Sequence, residues 1–167
     1  MLIVRTFSKS HGLAGLRVGY ALGSEALISG LERVKNSFNS YPLDCLAQAG
    51  ALAALRDEAY YAQTTRLICQ TREQTRSALS SAGLEALPSG ANFLFVKAHP
   101  QDAASVKERL KRQGILVRHF PGPRTAPYLR VSIGTPRDMA AVVTALTGLD
   151  GRAWFAQEAA GPEAQRP

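Results

Sequence analysis

The chain has 167 residues, 46% of them hydrophobic and 20% charged, which is typical of a globular domain and leaves no run of about 20 apolar residues for a membrane span. The N-terminus lacks the pattern of a secretory signal, so we expect a cytoplasmic protein with no membrane partner. The formal net charge is +7, but the densest basic cluster, at 107–114, contains a glutamate and an apolar leucine, and we expect no nucleic-acid partner.

The N-terminal half predicts two strands followed by three helices. The apolar, β-branched run at 2–7 predicts a buried strand, and the run at 16–22 predicts a second strand. Ser24 is suited to cap the first helix, and Gly83 to end the third. The three helices are expected over 25–34, 42–57 and Glu58 to Ala82. The second is apolar almost all round, which predicts a buried helix.

The C-terminal half predicts a small, mainly antiparallel sheet packed against helices. Strands are expected at 92–98, 115–120 and 128–134, with a shorter one before the turn at 88–91. One helix is expected over 101–113. The last helix opens with Thr135 as N-cap, Pro136 in its first position and Asp138 in its first turn.

These elements place the chain in the α/β class. We divide it into a remnant of a large domain (1–40), a buried helix with a long connecting helix (41–83), a small C-terminal domain (84–149) and a flexible tail (150–167). The first strand is apolar enough to need neighbours on both sides, so we expect the chain to start inside a larger fold. Cys45 and Cys69 match no metal or redox spacing and are expected to be free and buried.

The stretch TFSKSHGLAGLRVGY, at 6–20, carries the clearest chemistry. Its spacing matches neither the P-loop nor the dinucleotide-binding fingerprint. Thr6 and Ser8 alternate along the end of a strand, so their hydroxyls can face one side. Two hydroxyls and the guanidinium of Arg17 suit a phosphate dianion, whereas the amine of Lys9 can bond to an aldehyde. Pyridoxal phosphate is a phosphorylated aldehyde that satisfies both requirements.

This stretch resembles the lysine segment of fold-type-I pyridoxal-phosphate aminotransferases. Three further segments resemble one branch, the histidinol-phosphate aminotransferases: SFNSYPLDCLAQAGALAAL, PSGANFLFV and YLRVSIGTPRDM. The resemblance covers about residues 2–148. It implies the end of the large domain plus the small C-terminal domain, transamination of histidinol phosphate with 2-oxoglutarate, and a homodimer.

The resemblance also implies a role for six residues. Lys9 would bond to the cofactor and later move a proton, and Arg130 would meet an anionic group of the substrate with help from Arg118. The cofactor phosphate would be held by Thr6, Ser8 and Arg17. Strand alternation agrees for Arg130, which it places on the face opposite Leu129 and Val131.

Other residues carry weaker expectations. His11 is expected to be a solvent-facing residue of the turn and not a proton relay. His99 and His119 have no partner at metal-ligand spacing, so no metal site is expected.

The family carries several parts of its site before the lysine, among them an aspartate that pairs with the pyridine nitrogen, and only eight residues precede Lys9 here. We therefore expect the C-terminal portion of an aminotransferase, active only when the other half is supplied. Two alternatives stay open. One is a fragment of the related phosphothreonine decarboxylases, and the other is a non-catalytic remnant that serves as an interaction module.

Overall fold

The computed structural model describes residues 1–98 and 100–148, and its chain divides into two compact units. The first unit is Met1–Thr65, and the second begins at Arg66. The predicted flexible tail and His99 lie outside the described residues. Within those residues, no helix is both long enough and apolar enough to cross a membrane.

In the first unit, a two-stranded antiparallel sheet precedes the helices. Strands β1 (Leu2–Thr6) and β2 (Gly19–Gly23) pair along their whole length, with Thr6 opposite Gly19. A short 3-10 helix, Ala14–Leu16, lies in the connection between them. The helices are α1 (Glu25–Phe38), α2 (Cys45–Arg56) and α3 (Glu58–Ser81), which continues into the second unit. The predicted strands and helices are therefore present, although α2 begins three residues later than expected because Asp44 caps it.

The core of the first unit is small. Its buried apolar residues are Phe7, Val18, Ala47 and Ala51. The burial expected of the first strand and the second helix is not provided by this chain's own residues: Val4 is 71% exposed, and Leu46 is 75% exposed. The two cysteines are free as predicted, but the prediction that they are buried is wrong, because both lie on exposed surfaces of helices.

The second unit is a three-stranded antiparallel sheet covered by helices. Its strands are β3 (Phe93–Lys97), β4 (Arg118–His119) and β5 (Tyr128–Ser132), in the order β3-β5-β4. Its helices besides the end of α3 are α4 (Ala103–Arg112) and α5 (Pro136–Thr147). Alternate residues of β3 and β5 enter the core, where Leu94 and Leu129 have no exposed surface. The predicted antiparallel sheet is confirmed.

The middle strand of the sequence prediction is shorter than expected. The prediction covered 115–120, whereas β4 has two residues. The N–H of Ile115 donates to the carbonyl of Leu110 and so closes the end of α4, which delays the start of the strand. After the strand, three residues that lack an N–H donor divert the chain into a loop: Pro121, Pro123 and Pro127.

Helix α5 begins with the predicted cap. The N–H of Asp138 donates to Oγ1 of Thr135 over 3.2 Å, and the N–H and hydroxyl of Thr135 donate to Oδ2 of Asp138 over 2.9 and 2.8 Å. This reciprocal pair is a capping box that satisfies donors left free by the first turn. The hydroxyl of Thr135, and next its N–H, lower the pKa of the Asp138 carboxyl.

This lowered pKa predicts a pH-dependent contribution to stability. A carboxyl whose pKa is lower in the folded chain than in the unfolded chain, where it is about 3.9, stabilises the folded state at pH values above the unfolded pKa. That stabilisation is lost as the pH falls through the folded pKa. Asp138→Asn removes the charge, so the variant should have a lower free energy of unfolding than the original chain at pH 7. The difference in free energy between the two proteins should become smaller by pH 3. Urea unfolding at pH 7 and at pH 3 measures this difference in free energy. A difference of the same size at both pH values would contradict the role of the charge.

Candidate functional site

The lysine turn, residues 7–12, follows directly on the end of β1. The N–H of Gly12 donates to the carbonyl of Lys9 over 3.0 Å, and the N–H of Leu13 donates to the carbonyl of Phe7 over 3.0 Å. Gly12 has a φ of +69°, a conformation that a residue without a Cβ adopts at little cost. The turn leaves Lys9 exposed, and no described residue forms a hydrogen bond or ion pair with its amine.

Two hydroxyls lie side by side at the start of this turn. Oγ1 of Thr6 and Oγ of Ser8 are 2.9 Å apart, and the N–H of Ser8 donates to Oγ1 of Thr6 over 3.1 Å. The second contact holds the Thr6 hydroxyl beside the backbone of the turn. The sequence places Ser8 next to Lys9, so two hydroxyl groups and one amine occur within four residues.

Arg17 lies on the return path to β2. Its φ of 55° is in the left-handed region, and it is the one non-glycine residue with positive φ in the described part of the chain. Such backbone conformations are uncommon and are found more often at ligand sites. Its Nη1 donates to the carbonyl of Ala14 over 3.0 Å. The next residue, Val18, accepts a hydrogen bond of 3.1 Å from the N–H of Phe7, which brings this segment next to the lysine turn.

The charges of this segment have one sign. No aspartate or glutamate occurs between Met1 and Ser24, whereas Arg5, Lys9 and Arg17 are all cationic and exposed. Because no neighbouring carboxylate in the sequence competes for these groups, their potential favours a bound anion. A phosphate fits this donor set.

An aromatic cluster packs against the lysine turn. The ring of His11 stacks on Tyr61 of α3, with centroids 4.7 Å apart and an interplanar angle of 26°. The same ring also contacts Phe7, with centroids 4.8 Å apart and an interplanar angle of 48°. The expectation that His11 faces solvent is therefore wrong, since the ring is half-buried between two aromatic side chains. Sequence reasoning missed Tyr61, because no motif links it to a histidine fifty positions earlier.

The two other predicted site residues belong to the second unit and lie on one face of its sheet. Arg118 of β4 is directly opposite Arg130 of β5 in the register. The guanidinium carbon of Arg130 lies 4.2 Å from the ring centroid of Phe93, a cation–π contact. Its Nε is buried, and no described residue accepts a hydrogen bond from it.

A third cation near this face is already paired. Nζ of Lys97 donates to Oε2 of Glu85 over 2.9 Å. This hydrogen bond raises the pKa of Lys97 and lowers the pKa of Glu85. By contrast, no described carboxylate pairs with Arg118 or Arg130. Both guanidinium groups therefore lack a carboxylate partner among the described residues.

The structure thus groups the predicted residues in two sets. The segment around the lysine turn contains Thr6, Ser8, Lys9 and Arg17, and the sheet of the second unit carries Arg118 and Arg130. Over residues 1–98 and 100–148, no group of three or more histidine, cysteine, aspartate or glutamate side chains is arranged to hold a metal ion.

Comparison with curated proteins finds relatives of high identity. The chain is 52% identical over 146 residues to histidinol-phosphate aminotransferase 1 of Bordetella parapertussis, covering 87% of the chain and 41% of that protein. It is 50% identical over 147 residues to the histidinol-phosphate aminotransferase of Pseudomonas putida, covering 88% of the chain and 42% of that protein. The match lies in the C-terminal portion of these relatives, and the chain spans about two fifths of their length.

Solved structures share the fold. The histidinol-phosphate aminotransferase of Sinorhizobium meliloti, solved in complex with pyridoxal-5'-phosphate, superposes with a TM-score of 0.76 at 29% identity, covering 91% of this chain and 41% of that one. The enzyme of Clostridium acetobutylicum gives a TM-score of 0.79 at 20% identity, covering 90% of this chain and 46% of that one, which indicates a common fold.

Family membership follows from the extent of the sequence match. Residues 1–146 match the family described as aminotransferase class I and II, and this range includes the lysine turn and both arginines of the sheet. The expected fold, the end of a fold-type-I large domain followed by a small domain with an antiparallel sheet, is confirmed. The chain belongs to the class I and II aminotransferases.

Proposed function

We propose that the chain supplies the lysine-bearing part of a pyridoxal-phosphate-dependent aminotransferase. One observation carries this proposal: the exposed amine of Lys9 follows directly on the paired hydroxyls of Thr6 and Ser8, in a segment that has no acidic residue before Glu25. An amine suits the aldehyde of the cofactor, and the hydroxyls suit its phosphate. The donor set therefore fits this cofactor.

Each residue then has a distinct task. The hydroxyls of Thr6 and Ser8 donate to the phosphate, and the guanidinium of Arg17 adds a charged fork of donors. Nζ of Lys9 would hold the cofactor at its aldehyde carbon, and the same amine would move a proton to and from the substrate α carbon. When bound, pyridoxal phosphate acts as an electron sink for the bond broken at that carbon.

The proposed substrates are histidinol phosphate and 2-oxoglutarate. Identities of 50–52% to several histidinol-phosphate aminotransferases support this choice. The unpaired cations Arg118 and Arg130 suit the anionic groups that both substrates carry. Since the chain spans about two fifths of these relatives, turnover requires the part that it does not span. We also propose that the complete enzyme is a cytoplasmic homodimer.

The first test asks which lysine reacts with the cofactor. The purified chain is incubated with pyridoxal phosphate, reduced with borohydride and digested, and the labelled peptides are quantified by mass spectrometry. Lys9 should take most of the label, because its amine is exposed and the residue directly follows the hydroxyls that are proposed to hold the phosphate. Lys35, exposed on α1 without such neighbours, is the internal reference.

Matched variants separate the phosphate site from lysine reactivity. Ser8→Ala should reduce the labelling of Lys9 and leave that of Lys35 unchanged, whereas Ser37→Ala, which alters a serine of α1, should change neither. Equal labelling of Lys9 and Lys35 in the original chain would overturn the proposed function.

A further inference from the structure

We propose that His11 is a positioning residue for Lys9: its ring, clamped between Phe7 and Tyr61, fixes the turn that presents the lysine amine. This inference rests on the proposed function, because it assigns His11 a role only if Lys9 is the reactive group. It concerns a residue two positions from the lysine, in the same turn.

The lysine turn has few other means of holding its shape. Sheet pairing ends at Thr6, so the residues that follow are outside the ladder. From Lys9 to Gly12, three of the four residues are exposed, and His11 is the one that is half-buried. The packing of residues 9–12, beyond the buried Phe7, therefore depends on the imidazole ring.

The two ring contacts of His11, which we call the clamp, join the turn to two residues whose backbones are hydrogen-bonded. Phe7 is 3% exposed, and both its N–H and its carbonyl are hydrogen-bonded, to Val18 and Leu13. Tyr61 lies in the first turn of α3, a helix of 24 residues, where its N–H donates to the carbonyl of Asp57 over 3.1 Å. Because His11 lies inside the turn closed by Lys9 and Gly12, fixing its ring also fixes the backbone of Lys9.

The contacts of His11 indicate a role of shape and not of proton transfer. Its ring contacts are aromatic, and the one hydrogen-bond partner of its Nδ1 is the hydroxyl of Ser10 at 3.1 Å. No described contact joins the imidazole to the amine of Lys9. An aromatic ring without nitrogen should therefore replace it, since Phe can make the same two aromatic contacts, one stacked and one tilted.

Two measurements on the full chain test the clamp. NMR hydrogen exchange reports the amides of Gly12 and Leu13, which close the turn, and borohydride labelling reports the ratio of Lys9 to Lys35. His11→Ala should speed exchange at both amides and lower the labelling ratio, each by about ten-fold, the scale of losing two aromatic contacts. His11→Phe should restore both to within about two-fold. Tyr61→Ala should act like His11→Ala, and Tyr60→Ala, which alters an exposed neighbour on the same helix, should have no effect.

The outcomes separate this inference from the proposed function. Unchanged exchange in both His11→Ala and Tyr61→Ala would overturn the clamp. Equal loss of labelling in His11→Phe and His11→Ala would overturn the positioning role and assign the imidazole to the chemistry. Absence of preference for Lys9 in the original chain would overturn the proposed function itself, and the exchange rates would still show whether His11 holds the turn.

Discussion

Replacing Arg130 by alanine is expected to lower kcat/KM for histidinol phosphate by about 10²-fold, the effect of losing a charged hydrogen bond of about 2–3 kcal/mol. The test uses a chimera in which residues 1–146 replace the matching portion of the Bordetella parapertussis relative. The side chain lies on the sheet face opposite the core, its Nε has no partner among the described residues, and no described carboxylate pairs with it. Its removal costs the cation–π contact with Phe93 but no ion pair or hydrogen bond among the described residues, so the melting temperature should fall only slightly.

Two further variants of the chimera test whether the loss of activity is specific to the guanidinium of Arg130. Arg130→Lys keeps the charge but loses the planar fork of donors, so it should recover only part of the activity. Arg33→Ala removes an exposed arginine of α1 and should leave kcat/KM unchanged. A large fall in melting temperature with normal kinetics in Arg130→Ala would show that the arginine is structural.

Leu129→Ala is expected to destabilise the second unit by about 2–5 kcal/mol, a loss large enough to unfold much of it. Leu129 has no exposed surface, and it lies on β5, the central strand of the sheet. Truncation leaves a cavity between the sheet and its helices, and neighbours on two paired strands cannot move in to fill it.

Urea unfolding followed by circular dichroism measures this loss. Leu116→Ala is the matched control, because Leu116 is 81% exposed and the same truncation there should change stability by less than about 0.5 kcal/mol. Similar midpoints for the two variants would contradict the position of Leu129 in the core.

The parts of the fold that could be predicted from the sequence are those set by neighbouring residues. The start of α5 is encoded within four residues, Thr135 to Asp138, and the alternation of β5 separates its core face from its arginine face. The length of β4 depends instead on how α4 ends and on the prolines beyond the strand. The apolar pattern of β1 indicated a strand that needs neighbours on both sides, and among the described residues it pairs with β2 alone.

The candidate site divides in the same way. Thr6, Ser8, Lys9 and Arg17 are close in sequence, so their motif was visible before the structure. The partners of His11 and Arg130 were not visible, because a helix brings Tyr61 to the turn and the strand register brings Phe93 near the guanidinium. Contacts of this kind arise from the fold and leave no local pattern.

The buried Nε of Arg130 has a consequence for discrimination between ligands. That donor is desolvated and lacks an acceptor among the described residues, and such a donor costs about 1–3 kcal/mol or more when it carries charge. Under the proposed role of Arg130, an anionic ligand is attracted by this guanidinium, whereas a neutral analogue of the same shape lacks that attraction. The sheet would then disfavour uncharged competitors without a steric barrier, and this selectivity should persist at salt concentrations that screen the exposed cations.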